Sequence, residues 1–295
     1  MPSAATYIAV DWGTTNRRAA LIGDDGVVLD GFSDDRGVLS LSRNDYPGEF
    51  AAIRGRLGNR PIVAAGMIGS NRGWRDVPYV DVPADLDTLA RGAWRDEAHA
   101  VTILPGVAQR HPRADVMRGE EVQVVGAVAV GVARAEADGA ALFCQPGTHN
   151  KWIDVAGDRI TGFATTMTGE LFALLRRHGT LAGMLDAPVT DGPAFREGLA
   201  RARSEAGLAT ALFGVRAGVL LGTVAPADAA SFASGLLIGA DVAGRAPGGR
   251  VHLLGNGPLV DLYAAAIGEN GAEVVPLDGT HAFAAGLRLL WEKTR

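Results

Sequence analysis

The chain has 295 residues, 47% of them hydrophobic and 21% charged, with a formal net charge of −5. This is globular composition with material for a large core, and mild acidity without a basic stripe argues against nucleic acid as a partner. No apolar run reaches the roughly 18 residues of a helical membrane span, and the first residues lack a basic segment followed by a long apolar one, so a cytoplasmic protein with no membrane partner is expected. The single cysteine, Cys144, ends the apolar run ALFC and reads as a small core residue; it rules out an intrachain disulfide and a cysteine metal cluster.

In chain order, YIAVDWGTTNRRAALIGDDGVVLDGFS reads as a strand over 7–10, a turn, a strand over 18–22, a hairpin turn at Asp24-Asp25-Gly26 and a strand over 27–29. A helix over 47–57 follows, then a buried strand over 61–65 that opens into the loop GMIGSNRGW. A short strand over 101–104 precedes VMRGEEVQVVGAVAVGVA, a turn leading into a long apolar helix. Residues 141–144 begin another strand, followed by QPGTHNKW and a strand over 152–155. The stretch 167–245 is mainly helical. A strand over 251–254, a turn, a helix over 259–267, a short strand at 274–275 and a helix over 281–291 close the chain. The strand–GTT–strand unit at 7–22 has an echo in the strand–GTH–strand unit at 141–155. Two lobes with related hairpins account for that echo, with 1–131 as the N-terminal lobe and 132–295 as the C-terminal lobe.

The chemistry concentrates in the loops. Asp11-Trp12-Gly13-Thr14-Thr15-Asn16 is a hairpin rich in Gly and Thr that can aim several N–H groups and two hydroxyls at one phosphate. Asp11 at its mouth could hold a hydrated Mg²⁺, and Arg17 or Arg18 could add a charge-assisted bond to phosphate. An ordinary turn is the plain alternative. The second hairpin, Pro146-Gly147-Thr148-His149-Asn150-Lys151-Trp152, repeats the arrangement, with Lys151 as a compact charge for a terminal phosphate. Two such hairpins suggest a polyphosphate held by both lobes. Gly255-Asn256-Gly257, between a strand and a helix, lacks the GxGxxG dinucleotide pattern and suits an adenosine contact or a plain turn.

In Met117-Arg118-Gly119-Glu120-Glu121 the two acids fall in the first turn of a helix, where its dipole favours them. Glu120 could also act as general base on a substrate hydroxyl, and Arg118 could bind a substrate carboxylate. In the loop 66–74, Gly69, Ser70 and Asn71 could meet sugar hydroxyls, and Trp74 could cover an apolar face of the sugar. Thr168 reads as a helix cap, and Glu170 beside it is a further contact for nucleotide or substrate.

The order of these motifs resembles the actin-like ATPase and sugar-kinase superfamily. More narrowly, AVDWGTTNRRA, AAGMIGSNRGW, VMRGEEVQVVGA, PGTHNKW and TMTGEL are similar to the 2-dehydro-3-deoxygalactonokinase family, from about residue 7 to residue 290. The resemblance implies an α/β, two-lobed actin-like (ribonuclease H-like) fold with an interlobe nucleotide cleft. It implies ATP and Mg²⁺ as cofactors, and phosphorylation of 2-dehydro-3-deoxy-D-galactonate at the 6-hydroxyl. By motif position it assigns Asp11, Thr14, Thr15 and Asn16, with Gly13 between them, to the first phosphate site, Gly147, Thr148 and Lys151 to the second, and Gly255, Asn256 and Gly257 to adenosine. Glu120 stands where related sugar kinases usually carry Asp, so Asp11 competes with it as the base. A kinase for another sugar acid, a nucleotide or sugar sensor, and a phosphatase are the alternatives. The sequence leaves oligomeric state open, including a homo-oligomer.

Overall fold

The computed structural model describes residues 5–132, 139–205, 207–245 and 248–295. Its strands and helices fall into two compact units. The first comprises Met1–Ala141, Asp154–Phe163 and Gly279–Arg295, and the second Leu142–Ile153 and Ala164–Asp278.

The first unit opens with β1 (Ala5–Trp12), β2 (Arg17–Gly23) and β3 (Val28–Asp34), followed by α1 (Tyr46–Leu57) and β4 (Ile62–Gly66). Then come β5 (Val80–Asp81), α2 (Leu86–Gly92), β6 (Trp94–Asp96), β7 (Val101–Ile103), β8 (Val107–Gln109), β9 (Asp115–Met117) and α3 (Glu120–Ala129). The main sheet has the order β3-β2-β1-β4-β7-β6, and β5, β8 and β9 form a separate small sheet. Strand alternation explains how β1 serves core and site at once. Ile8, Val10 and Trp12 face one way and pack with Tyr46, Phe50 and Ile53 of α1. Tyr7, Ala9 and Asp11 face the other.

The second unit holds most of β10 (Ala140–Gln145), the start of β11 (Asn150–Ala156) and the end of β12 (Arg159–Thr166). Four helices follow, α4 (Thr168–Arg177), α5 (Pro193–Ser204), α6 (Leu208–Leu221) and α7 (Ala229–Ala243), and then β13 (Arg250–Leu254), α8 (Pro258–Glu269) and β14 (Glu273–Leu277). The sheet order is β12-β11-β10-β13-β14, with β13 parallel to both neighbours. This repeats the first sheet, where β3-β2-β1 is a meander and β4 and β7 add in parallel. The echo between the two hairpins is therefore an echo between whole sheets.

The last helix, α9 (Gly279–Thr294), is counted with the first unit. It packs on α3 through glycines: a Cβ on Gly126 would lie 1.8 Å from the Ala282 carbonyl oxygen, and one on Gly286 2.0 Å from that of Val122. The expected division after residue 131 lies beside 133–138, which are outside the described residues, while the compact first unit continues to Ala141 and takes in α9 because of this packing.

Among the described residues no helix is long and apolar enough to cross a membrane. Cys144 is fully buried, and burial pushes its thiol well above the usual cysteine range. The sequence reading missed β12, whose RITGFATT mixes Gly and Thr into the alternation, and the small sheet, whose strands are too short to show a period.

Candidate active site

The hairpin Asp11–Asn16, expected to meet phosphate, is a braced turn. Gly13 N–H donates to the Asn16 carbonyl at 2.9 Å, closing it. The segment after β3 lies along it: Gly37, Val38 and Leu39 N–H groups donate to the carbonyls of Thr15, Gly13 and Thr14, each at 3.1 Å. A Cβ on Gly37 would come within 2.3 Å of the Thr15 backbone, so only glycine lets that segment approach. With their carbonyls held from behind, Thr14, Thr15 and Asn16 keep their side chains exposed.

Arg17 and Arg18 part company here. Trp12 pairs with Arg17 and Asp11 with Arg18 across the β1–β2 ladder, and cross-strand partners share a face. Arg17 therefore turns to the core side, 3% exposed, where its guanidinium bonds Asp34 at 2.6 and 3.1 Å and Glu49 at 2.7 Å and lies 4.9 Å from the Trp12 ring centre. The phosphate contact expected of Arg17 meets a fork already taken by two carboxylates. Arg18, largely exposed, stands on the Asp11 side, 3.8 Å from its carboxylate.

Asp11 lies at the carboxyl end of β1, beside the end of β4. Its half-buried carboxyl is pushed up from the usual range by burial and by the nearby Glu120 charge, with Arg18 acting against the shift. Gly66 has φ +90°, and a Cβ there would sit 2.7 Å from the Trp12 carbonyl oxygen and 3.5 Å from Asp11 Oδ1. Gly119, φ +109°, leads into α3, and its added Cβ would be 3.2 Å from Gly66 Cα. Two glycines in the left-handed half of backbone space thus bring the start of α3 against β1 and β4.

The acids of α3 fold back on their own backbone. Glu120 accepts from Arg118 N–H at 3.0 Å, and Glu121 accepts from Gly119 N–H at 2.7 and 2.9 Å. Glu121 is 1% exposed, and burial, aided by Glu120, pushes its carboxyl up to about 8 against the pull of the Gly119 N–H and Arg118. Glu120 is half-buried and the more accessible of the two. Arg118 is buried, with Nη2 donating to the Val77 carbonyl at 2.7 Å and its guanidinium carbon 4.2 Å from the Tyr79 ring centre. Among the described residues, nothing hydrogen-bonds its Nε or Nη1. Nη1 points at Gly69, where a Cβ would approach it to 2.7 Å.

The rest of that loop is stiff. Ser70 Oγ donates to the Met67 carbonyl at 2.7 Å and accepts from Arg72 N–H at 3.2 Å, which closes a turn. Asn71 is exposed, and its carbonyl accepts from Arg43 at 3.1 Å. Trp74, expected over the sugar, packs instead among Tyr46, Phe50, Trp94 and His99, with ring centres 4.7 to 6.2 Å away. Its indole anchors the loop to the core.

In the second unit, the hairpin Gly147–Lys151 is braced by α4. A Cβ on Gly169 would be 2.6 Å from the Gly147 carbonyl oxygen, and Glu170 N–H donates to the Thr148 carbonyl at 3.0 Å. The Glu170 carboxylate meets His149 Nε2 at 2.5 Å, so Glu170 joins the hairpin. Lys151 is 4% exposed on β11. Gly255 and Gly257 both have positive φ, +129° and +99°, and a Cβ on Gly257 would meet open space. Asn256 between them is exposed, and Pro258 opens α8.

The donor set at Asp11 fits a Mg²⁺ ion. Mg²⁺ takes one or two protein carboxylates and completes its shell with water and phosphate, and here a half-buried carboxyl feels a second carboxylate, with the Arg18 guanidinium 3.8 Å away as counter-charge.

Comparison with known proteins gives the same picture over the whole chain. A family model described as 2-keto-3-deoxy-galactonokinase matches residues 11–290, which contain the motifs above save the first two residues of AVDWGTTNRRA. The chain is 40% identical to an assigned 2-dehydro-3-deoxygalactonokinase of Rhizobium meliloti (strain 1021), over 99% of both proteins. It is 35% identical to the 2-dehydro-3-deoxygalactonokinase of Escherichia coli (strain K12), over 96% of this chain and 97% of that one. A crystal structure of a protein so assigned from Sinorhizobium meliloti superimposes with a TM-score of 0.85 at 38% identity, covering 96% of this chain and 97% of the other. The α/β fold is that of the actin-like ATPases and sugar kinases. Strand order, motifs and relatives agree from end to end, and the chain belongs to the 2-keto-3-deoxy-galactonokinase family.

Proposed function

We propose that this chain is an ATP-dependent carbohydrate kinase that phosphorylates 2-dehydro-3-deoxy-D-galactonate on its 6-hydroxyl, in D-galactonate catabolism. The observation that carries the reading is the grouping of Asp11, Glu120 and the buried Arg118 around Gly66 and Gly69, at the carboxyl ends of β1 and β4. Ligands of α/β sheets bind at such ends. A buried guanidinium whose Nε and Nη1 have no hydrogen-bond partner among the described residues suits the carboxylate of a sugar acid through charge-assisted hydrogen bonds. The names of the relatives point to the same substrate class.

The first unit carries the sugar-acid and first phosphate sites, and the second carries the second phosphate and adenosine sites. Gly13, Thr14, Thr15 and Asn16 take one part of the phosphate chain, with Arg18 in the place first given to Arg17. Gly147, Thr148 and Lys151 take another, and Gly255, Asn256 and Gly257 lie against adenosine. Gly69, Ser70 and Asn71 line the sugar acid, with Arg118 on its carboxylate. Glu170 acts through His149 on the hairpin rather than on the sugar. Asp11 would hold Mg²⁺, which supplies charge neutralisation for the transferring phosphoryl group. Glu120 accepts the proton of the attacking hydroxyl; the rest of the task is positioning and electrostatics.

A coupled ADP assay against a panel of sugar acids tests this. ADP formation should depend on Mg²⁺ and on a 2-keto-3-deoxy sugar acid with a free 6-hydroxyl. Turnover unaffected by any sugar acid would sink the kinase reading. Glu120→Gln should lower kcat by about 10²- to 10⁴-fold while ATP still binds; near-normal turnover in that variant would move the base to Asp11.

A further inference from the structure

Asp241 lies on α7, is 8% exposed and belongs to none of the motifs assigned to the site above. Its carboxylate accepts hydrogen bonds from Asn150 Nδ2 at 2.8 Å, Trp152 Nε1 at 2.9 Å, Thr166 Oγ1 at 2.8 Å, Thr168 Oγ1 at 3.0 Å and the Tyr263 hydroxyl at 2.6 Å. A buried carboxylate is costly unless its lone pairs are matched, and here each partner donates. The Asn150 side chain is held at both ends, since its Oδ1 accepts from Cys144 Sγ at 3.4 Å.

The donors belong to the nucleotide apparatus. Asn150 and Trp152 are the exit of the second phosphate hairpin into β11. Thr166 ends β12 and Thr168 opens α4, the helix whose Gly169 and Glu170 brace that hairpin. Tyr263 is on α8, which begins directly after the Gly255–Gly257 turn. One carboxylate therefore ties together the stem of the hairpin, its brace and the helix behind the adenosine turn.

We infer that Asp241 is the positioning residue of the nucleotide half of the site: it sets the second phosphate hairpin and the glycine turn in register with each other and touches no substrate. The inference rests on the reading of the chain as an ATP-dependent kinase. A carboxylate only accepts, so its two oxygens face Trp152 Nε1 and Asn150 Nδ2, which only donate, without conflict. The amide of Asp241→Asn has the same size but must aim an N–H at one of those two donors. The hairpin then shifts, and a shift of about 1 Å in a positioning element can cost about 10²-fold in rate.

The test is steady-state kinetics together with calorimetric ATP binding on Asp241→Asn, Thr168→Val and Tyr263→Phe. In Asp241→Asn the KM and Kd for ATP should rise about tenfold or more and kcat should fall, while the KM for the sugar acid stays near the wild-type value. The milder variants should move the same way by less, and they decide the matter by the same split if Asp241→Asn yields no folded protein. An unchanged Kd for ATP with a lowered melting temperature, or equal rises in both KM values, would overturn the inference. Failure of the wild-type protein to form ADP counts against the kinase reading instead; ATP binding by the variants still reads the role of Asp241.

Discussion

Arg118 sits buried with a single backbone carbonyl accepting from one of its terminal nitrogens and an aromatic face beside it. Arg118→Lys keeps the charge and loses the Nε and Nη1 donors, so the KM for the sugar acid should rise about tenfold or more, in line with the roughly 1.5–3 kcal/mol of a charged hydrogen bond; an unchanged KM would take the carboxylate away from this residue. Glu121 gives a prediction in pH. Its folded pKa of about 8 lies above the ordinary glutamate value of 4.5. The folded state then binds the proton more tightly, so this group's contribution is complete below the unfolded value and is lost as pH rises towards 8. Thermal melts of Glu121→Gln should therefore lose less stability between about pH 5 and 8 than the wild type does; parallel curves would refute it. The make-up of the proposed site was partly legible in the sequence: the motifs carrying Asp11, Glu120 and Arg118 come together around Gly66 and Gly69. Arg17 was misjudged for a reason of parity: it pairs with Trp12, a core residue, so its side chain had to point inward. That could have been read by extending the alternation through the turn. Trp74 could not, because an aromatic near a loop looks the same whether it covers a ligand or anchors the loop.

Elements meet in this protein through small residues. The brace of the second hairpin requires Gly169, and Gly169→Ala would drive a methyl to 2.6 Å from the Gly147 carbonyl oxygen. That variant should weaken ATP binding measured by calorimetry, with the sugar-acid KM unaffected. The crossing of α3 and α9 requires Gly126, where a methyl would fall 1.8 Å from backbone. Gly126→Ala should destabilise the fold by about 1–3 kcal/mol or more, as overpacking does, seen as a lower urea midpoint. Strands and helices with a clear period were legible to within a few residues, as α1 and α8 are. The brace between TMTGEL and PGTHNKW was invisible, because nothing local to either segment encodes which one it touches. Asp241 escaped notice in the same way: an acid in an apolar helix declares itself only when its donors arrive from four other elements.

Across the described residues, the same strand order recurs in two sheets, and each sheet supplies one hairpin rich in Gly and Thr. ATP at about a hundred times its Kd should stabilise the protein by roughly 2.7 kcal/mol, read as a rise in melting temperature. The repeat could be suspected from GTT and GTH, but its extent could not, since the four helices between β12 and β13 hide the correspondence from any alignment by length. The place of α9 has a consequence for synthesis. This helix completes the first unit, yet it leaves the ribosome after all of the second. Domains generally fold as units while the chain emerges, so the unit translated first must wait, with the Gly126 side of α3 uncovered, until residues 279–294 have followed the second unit out. A ribosome stalled before residue 279 should hold a nascent chain that chaperones capture and proteases cut within residues 5–132, and a chain extended through α9 should escape both.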